Sequence, residues 1–136
     1  MFELSERSLA QLMIAYYNLF MKQKIWKSFG YALTGLKVAW KEELNFKIEI
    51  VSAILVTALS YALKISMLEY AVVILTIGFV LATETLNTSL EELCDKFQPT
   101  HDPHIAKIKD LAAAAVLLAA ITALAVSITI FGKYFF

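Results

Sequence analysis

Apolar and polar positions divide this chain into two amphipathic stretches followed by three long apolar runs. In residues 5–24, Leu9, Leu12, Met13, Tyr16 and Phe20 recur at the spacing of one helix face. Ser5 suits the cap of such a helix, with Glu6 and Ser8 in its first turn. The segment is too polar at its ends to span a bilayer, so it is expected to lie at the interface or pack on the rest of the molecule. Residues 25–43 predict a second amphipathic stretch. Trp26, Phe29, Leu33, Leu36 and Trp40 form a narrow apolar stripe, bordered by Lys27, Lys37 and Lys41, whose stems can snorkel. Tryptophans flanked by lysines suit the headgroup layer. Gly30 and Gly35 fit either a close helix contact or a bend.

The first apolar run, Ile50–Leu63, has 14 uncharged residues, short of the roughly 20 that a bilayer core requires. Adding Phe46 to Glu49 restores the length and puts Lys47 and Glu49 near one boundary. Lys64 to Glu69 reads as a short polar turn. The second run, Tyr70–Thr83, is again 14 residues and gains length by continuing through Glu84. The third, Leu111–Gly132, is a 22-residue uncharged run. The expected spans are about 46–63, 68–90 and 108–132. Asp102-Pro103 makes a good start for the third helix, with Asp at the N-cap and Pro at N1. The alanines at 112–115 suit close helix packing in a membrane.

Composition agrees with this pattern. The chain is 60% hydrophobic and 18% charged, with mean hydropathy +0.68. A soluble domain of 136 residues has too little interior for so much apolar surface. Net charge is zero, which gives no electrostatic case for nucleic acid. A single cysteine, Cys94, excludes an internal disulfide and a cysteine metal cluster. The N-terminus, with Glu3, Glu6 and Arg7 and no cleavage site before a long apolar core, does not read as a signal peptide. Three spans place Arg7 and nine lysines on one side, against Lys64 and Lys133 on the other. The positive-inside rule makes the first side cytoplasmic. The expectation is therefore a multi-pass membrane protein with a cytoplasmic N-terminus.

The candidate chemistry lies at Glu84-Thr-Leu-Asn-Thr-Ser-Leu-Glu91. Continued as a helix, Glu84, Asn87 and Glu91 share one face, with Thr88 beside them. Ionisable groups at membrane depth normally face a partner, a metal or a water-filled site. The spacing also admits a plainer reading, a carboxylate row that solvates the helix as it leaves the bilayer. Glu42-Glu43, Glu84 and Glu91 are oxygen ligands of the kind that suit Mg²⁺ together with substrate phosphates. A further carboxylate is available as a general base. Lys107 and Lys109 can neutralise phosphate charge, and Asp110 can orient a lysine or a sugar hydroxyl. Neither G-x-x-x-x-G-K-S/T nor G-x-G-x-x-G is present, so a nucleotide would be held by side chains and metal. His101 and His104 lack the further ligands of a zinc site and read as solvated loop residues.

Several of these residues match a known pattern. Gly30-Tyr31-Ala32, Gly35-Leu36, Glu43-x-Asn45-Phe46-Lys47, Glu84-x-x-Asn87-Thr88-x-x-Glu91, Asp95 and Lys109-Asp110 before an alanine-rich span resemble the prokaryotic diacylglycerol kinase family, which includes undecaprenol kinases. The resemblance runs from about Lys24 to Gly132. It sets a membrane domain at 24–136 apart from an N-terminal amphipathic extension at 1–23. It implies an all-α integral membrane fold of three transmembrane helices plus an N-terminal amphipathic surface helix or helices, assembled as a homotrimeric helical bundle with active sites shared between subunits. It implies transfer of the ATP γ-phosphoryl group to the hydroxyl of a membrane lipid alcohol, undecaprenol or diacylglycerol. By resemblance, Glu84 is the general base and Asn87 positions the reacting groups. Glu43 and Glu91 hold Mg²⁺. Lys109 and Asp110 contact nucleotide, with Lys24 and Tyr31 near it. Lys24 and Lys47 stand where arginine is common, and a lysine lacks the forked contact of a guanidinium. Ala113 and Ala114 replace small polar residues or glycine. Glu49 stands where the undecaprenol branch often has histidine, while Asn45 and Thr88 look more like that branch.

Two other classes compete with a kinase. A proton- or ion-coupled transport subunit would use Glu49 and Glu84 as a relay and would need ionisable groups along a path across the membrane, whereas the far half of every span is apolar. A non-catalytic membrane assembly protein would tolerate Glu84→Gln and Glu91→Gln.

Overall fold

A computed structural model describes residues 6–135. It contains four α-helices and, among these residues, no strand: α1 (Glu6–Glu42), α2 (Leu44–Ala62), α3 (Met67–Phe97) and α4 (Pro103–Phe135). The residues divide into two compact units between Val38 and Ala39. The first consists of α1 alone. The second holds the end of α1 and the other three helices, each long and apolar enough to cross a membrane.

The two N-terminal stretches expected from sequence form one continuous helix of 37 residues. Gly30 and Gly35 cause no break, and no side chain or other helix lies within 4 Å of where their Cβ atoms would stand. Isolated glycines cost helix stability without ending a helix, and no proline falls in this segment. The expected Ser5 cap lies outside the described residues. Within the first unit the two stripes do not share a face. At 3.6 residues per turn, the set from Leu12 to Phe20 points about 140° away from the set from Trp26 to Leu36. α1 as a whole therefore concentrates its apolar side chains on no single face.

One non-helical residue, Glu43, separates α1 from α2. Its backbone is extended, at φ −98° and ψ 122°, and it caps α2 without a bond from its own side chain. The turn is tied on both sides. Glu43 N–H donates to the Ala39 carbonyl at 2.9 Å, and Lys47 Nζ donates to the Lys41 carbonyl at 3.0 Å. The ammonium thereby meets a free carbonyl at the negative end of α1. Phe46 and Ala39 are buried at this corner. At the opposite end of α2, Lys64 adopts φ 52° and turns the chain into α3. Ser66 and Glu69 form a reciprocal capping box at the start of α3, with N–H to oxygen distances of 2.9 and 3.3 Å.

α3 and α4 pack most extensively, followed by α2 and α3. Along α4, Ile105, Lys109, Ala112, Val116, Ala119, Ala123, Val126 and Ile130 are buried or half-buried, in alternating steps of four and three. Val73, Ile77, Val80, Glu84, Thr88, Glu91 and Cys94 are buried or half-buried along α3, in steps of three or four. This is the seam of two helices packing at a shallow angle. Ala119, with no exposed surface, and Ala112 let the backbones approach. Larger side chains close the far end, where Val73, Ile130 and Phe131 form the buried cluster with Val56, Leu63 and Ile65 against it. Polar residues inside α3 satisfy their hydroxyls on carbonyls of the preceding turn: Thr76, Thr83, Thr85 and Ser89 all bond this way. α4 begins where Asp102-Pro103 predicts. Asp102 Oδ1 accepts from His104 N–H at 2.7 Å and Ile105 N–H at 3.1 Å. Bonds from Ile105 and then His104 hold this carboxyl below its ordinary pKa.

Candidate functional site

The seam explains the condition of Glu84. The residue falls on the face of α3 that the helix bundle covers, and it is 1% exposed. Its Oε2 is buried without a hydrogen-bond partner. Burying a carboxylate without full pairing is costly, so this is an expensive group for packing alone. Thr88, one turn on, is also buried, but its hydroxyl bonds the Glu84 backbone carbonyl at 3.1 Å and leaves the carboxylate alone. Asn87 Nδ2 donates to Glu91 Oε1 at 3.2 Å, while Asn87 Oδ1 is buried and unpartnered. About two turns of one helix thus present a buried acid, an amide and a half-buried acid, with unused acceptors among them.

α2 contributes the facing groups. The Asn45 amide faces the Glu84 carboxylate, and Glu43 and Glu91 lie within its electrostatic reach. Glu43 is brought here because it is the kink residue between α1 and α2. Glu49, one further turn into α2, also lies close to Glu84 and has a buried, unpartnered Oε2. Sequence reading puts Glu49 near a span boundary and gives it a part only in the transport alternative, not in the kinase site; the available signal is a second acid about one turn inside a span. Glu49 also lines a cavity of about 140 Å³ between α2, α3 and α4, with Ser52, Val56, Ile77, Val80 and Val126 among its walls. Through Val80 and Leu81 the cavity comes within one helical turn of Glu84. An acid cluster and an apolar recess therefore adjoin.

The remaining candidates are distributed more widely. Lys109 extends from α4 and is engaged by Asp95 of α3, at 3.0 and 3.1 Å to the two carboxylate oxygens. Glu91 lies within its electrostatic reach. Asp110 and Lys107 are exposed on α4. Lys24 and Tyr31 stand exposed on α1 within the first unit, Tyr31 at 75%. His101 and His104 are exposed around the α4 cap, and Cys94 is a buried free thiol.

Among the described residues, no three His, Cys, Asp or Glu side chains are gathered as a metal cage. Glu43 and Glu91 offer two carboxylates. The Glu43 side chain makes no capping bond to α2, and Glu91 is steadied by Asn87. Two carboxylates fit an ion such as Mg²⁺, which completes its shell with water and substrate phosphate.

Sequence comparison identifies the family. The model of the family described as prokaryotic diacylglycerol kinase matches residues 30–131. This range includes every candidate residue above except Lys24, and the chain belongs to that family. An undecaprenol kinase of Bacillus subtilis is 30% identical over 108 residues, covering 79% of this chain and 88% of the relative. A diacylglycerol kinase of Synechocystis is 39% identical over 100 residues, 73% of this chain and 57% of that longer protein. The diacylglycerol kinase of Escherichia coli is 30% identical over 100 residues, 74% of this chain and 82% of the relative.

Proposed function

We propose that the protein is a membrane lipid kinase that transfers the γ-phosphoryl group of ATP to the hydroxyl of a lipid alcohol, undecaprenol or diacylglycerol. The observation that carries the reading is the buried, incompletely bonded Glu84 carboxylate, flanked by the Glu43 and Glu91 acids and adjoining an apolar recess. The lipid enters within the bilayer plane and ATP arrives from the cytoplasm, so the acids belong at the boundary. Glu84 accepts the hydroxyl proton as the lipid oxygen bonds to the γ-phosphorus and the bond to ADP breaks. Asn87 positions the reacting groups. Glu43 and Glu91 hold Mg²⁺, which neutralises phosphate charge when bound. Lys109 and Asp110 contact the nucleotide, with Lys24 and Tyr31 near it.

The same reading places the protein in the bacterial inner membrane with its N-terminus cytoplasmic. It makes residues 1–23 an extension to a membrane domain at 24–136. It also makes the working form a homotrimer that shares sites between subunits. The single chain has apolar surface available for such contacts and for lipid, with Leu75, Leu118 and Ile128 all more than 60% exposed.

The test is phosphoryl transfer from labelled ATP by the purified protein in mixed micelles, with undecaprenol and diacylglycerol offered separately and in competition. Labelled lipid from either confirms the reaction, and the preferred acceptor identifies the branch. Absence of product from both, with folded protein and Mg²⁺ present, contradicts the proposal.

A further inference from the structure

We infer that Asp95 is a positioning residue for the nucleotide, holding the Lys109 ammonium beside Glu91 on the phosphate side of the site. The inference rests on the reading of Lys109 as a nucleotide contact and adds the residue that aims it. Asp95 stands four residues after Glu91, so it continues the face that carries Glu84, Thr88 and Glu91 one turn farther along α3. Lys109 Nζ meets both Asp95 oxygens, at 3.0 and 3.1 Å, in a contact between residues fourteen apart in sequence and on different helices. Lys109 itself occupies a seam position of α4, where the other buried or half-buried members are apolar or alanine.

A lysine stem has four rotatable carbons and no preferred direction. Without a fixed acceptor, this ammonium is free to swing outward toward solvent or a headgroup. Stability does not account for the pair. Asp95 is 66% exposed at its side chain, and exposed ion pairs contribute little. The pair instead fixes one cation among the acids of the cluster. An arriving phosphate chain meets a charge already in place, and the ordering cost of that side chain falls outside the binding step.

The experiment compares Asp95→Asn, Asp95→Glu, Lys109→Ala and the double variant Asp95→Asn/Lys109→Ala, in full-length protein in mixed micelles. Each is measured for KM of ATP, kcat, KM of lipid and thermal stability. Asp95→Asn is expected to raise the KM of ATP about tenfold, with kcat and the lipid KM within about twofold, and Asp95→Glu to restore part of the loss. In the double variant, the Asp95 change should add nothing to the Lys109→Ala effect. If Lys109→Ala leaves the KM of ATP unmoved, the nucleotide role of Lys109 fails and this inference fails with it. If Lys109→Ala raises that KM but Asp95→Asn does not, or the two effects multiply independently, the positioning role alone is overturned. A fall in melting temperature with unchanged KM would make the pair a structural strut and overturns it equally.

Discussion

The two ends of α3 treat their acids in opposite ways. At its N-terminus, Glu69 closes a capping box with Ser66 and pairs with Lys133 of α4, so the side chain's acceptors have donors. Lys133 in turn lies 5.0 Å from the centre of the Tyr134 ring. Toward the other end, Glu84, Glu91, Glu43 and Glu49 gather with no ion pair to any of them among the described residues, and buried oxygens of Glu49 and Glu84 are unpartnered. One end is finished as a helix junction. The other is left with acceptors in excess, as expected where a ligand brings the compensating charge. Family membership alone does not show this asymmetry; the satisfaction of individual oxygens does.

The comparison is broken most severely by acting on the unfinished end. Chelating divalent cations should abolish phosphoryl transfer, and Mg²⁺ should restore it. Glu91→Gln should raise the Mg²⁺ concentration for half-maximal rate by at least about tenfold, since even an outer-shell partner costs about 10–100-fold and Glu91 is assigned as a direct ligand, as read from a Mg²⁺ titration of the rate. An unchanged titration curve would remove Glu91 from the metal set. Midway between the two ends, Ala119→Leu tests the seam that holds both in register. Ala119 has no exposed surface, so added bulk should cost about 1–3 kcal/mol of stability, measured by thermal or denaturant unfolding in micelles.

At the finished end, Glu69→Gln should leave lipid phosphorylation within about twofold, with only a small loss of thermal stability, because an exposed pair contributes little. A large loss of turnover there would erase the asymmetry. The smallest expected effect concerns the α4 cap. Backbone bonds lower the pKa of Asp102 from its ordinary 3.8. A carboxylate depressed on folding stabilises above its unfolded pKa and loses that contribution as pH falls through the folded value. Stability should therefore decline on acidification below about pH 4, and Asp102→Asn, which still caps, should flatten that limb. Thermal melts across pH 2–6 would show it.

Local signals carried most of the architecture. The three apolar runs and Asp102-Pro103 correspond to α2, α3 and α4, because hydropathy over a span and cap chemistry at a helix start are properties of neighbouring residues. The shared face of Glu84, Asn87 and Glu91 follows from helical periodicity alone. The depth of that face does not. Thr88 and Glu84 are buried because Ala112 and Ala119 bring α4 close, and periodicity on α3 has no access to what packs against it. The Asp95–Lys109 pair and the bond from Lys47 to the end of α1 depend on side chains meeting across a seam or a turn. The sequence predicts two amphipathic stretches where the structure has the single helix α1, because a helix backbone continues through a change of face.

The most direct measurement sets Glu84→Gln beside Glu69→Gln under the same labelled-ATP assay, with helix content and melting temperature recorded for both. Gln keeps the size of the side chain and removes its charge, so Glu84→Gln should fold as the parent does while losing about 10²–10⁴-fold in kcat, the range for a general base. Glu69→Gln should retain turnover. Full activity in Glu84→Gln, or equal losses in both variants, would contradict the claim that the unsatisfied acids of α3 form the phosphoryl-transfer site.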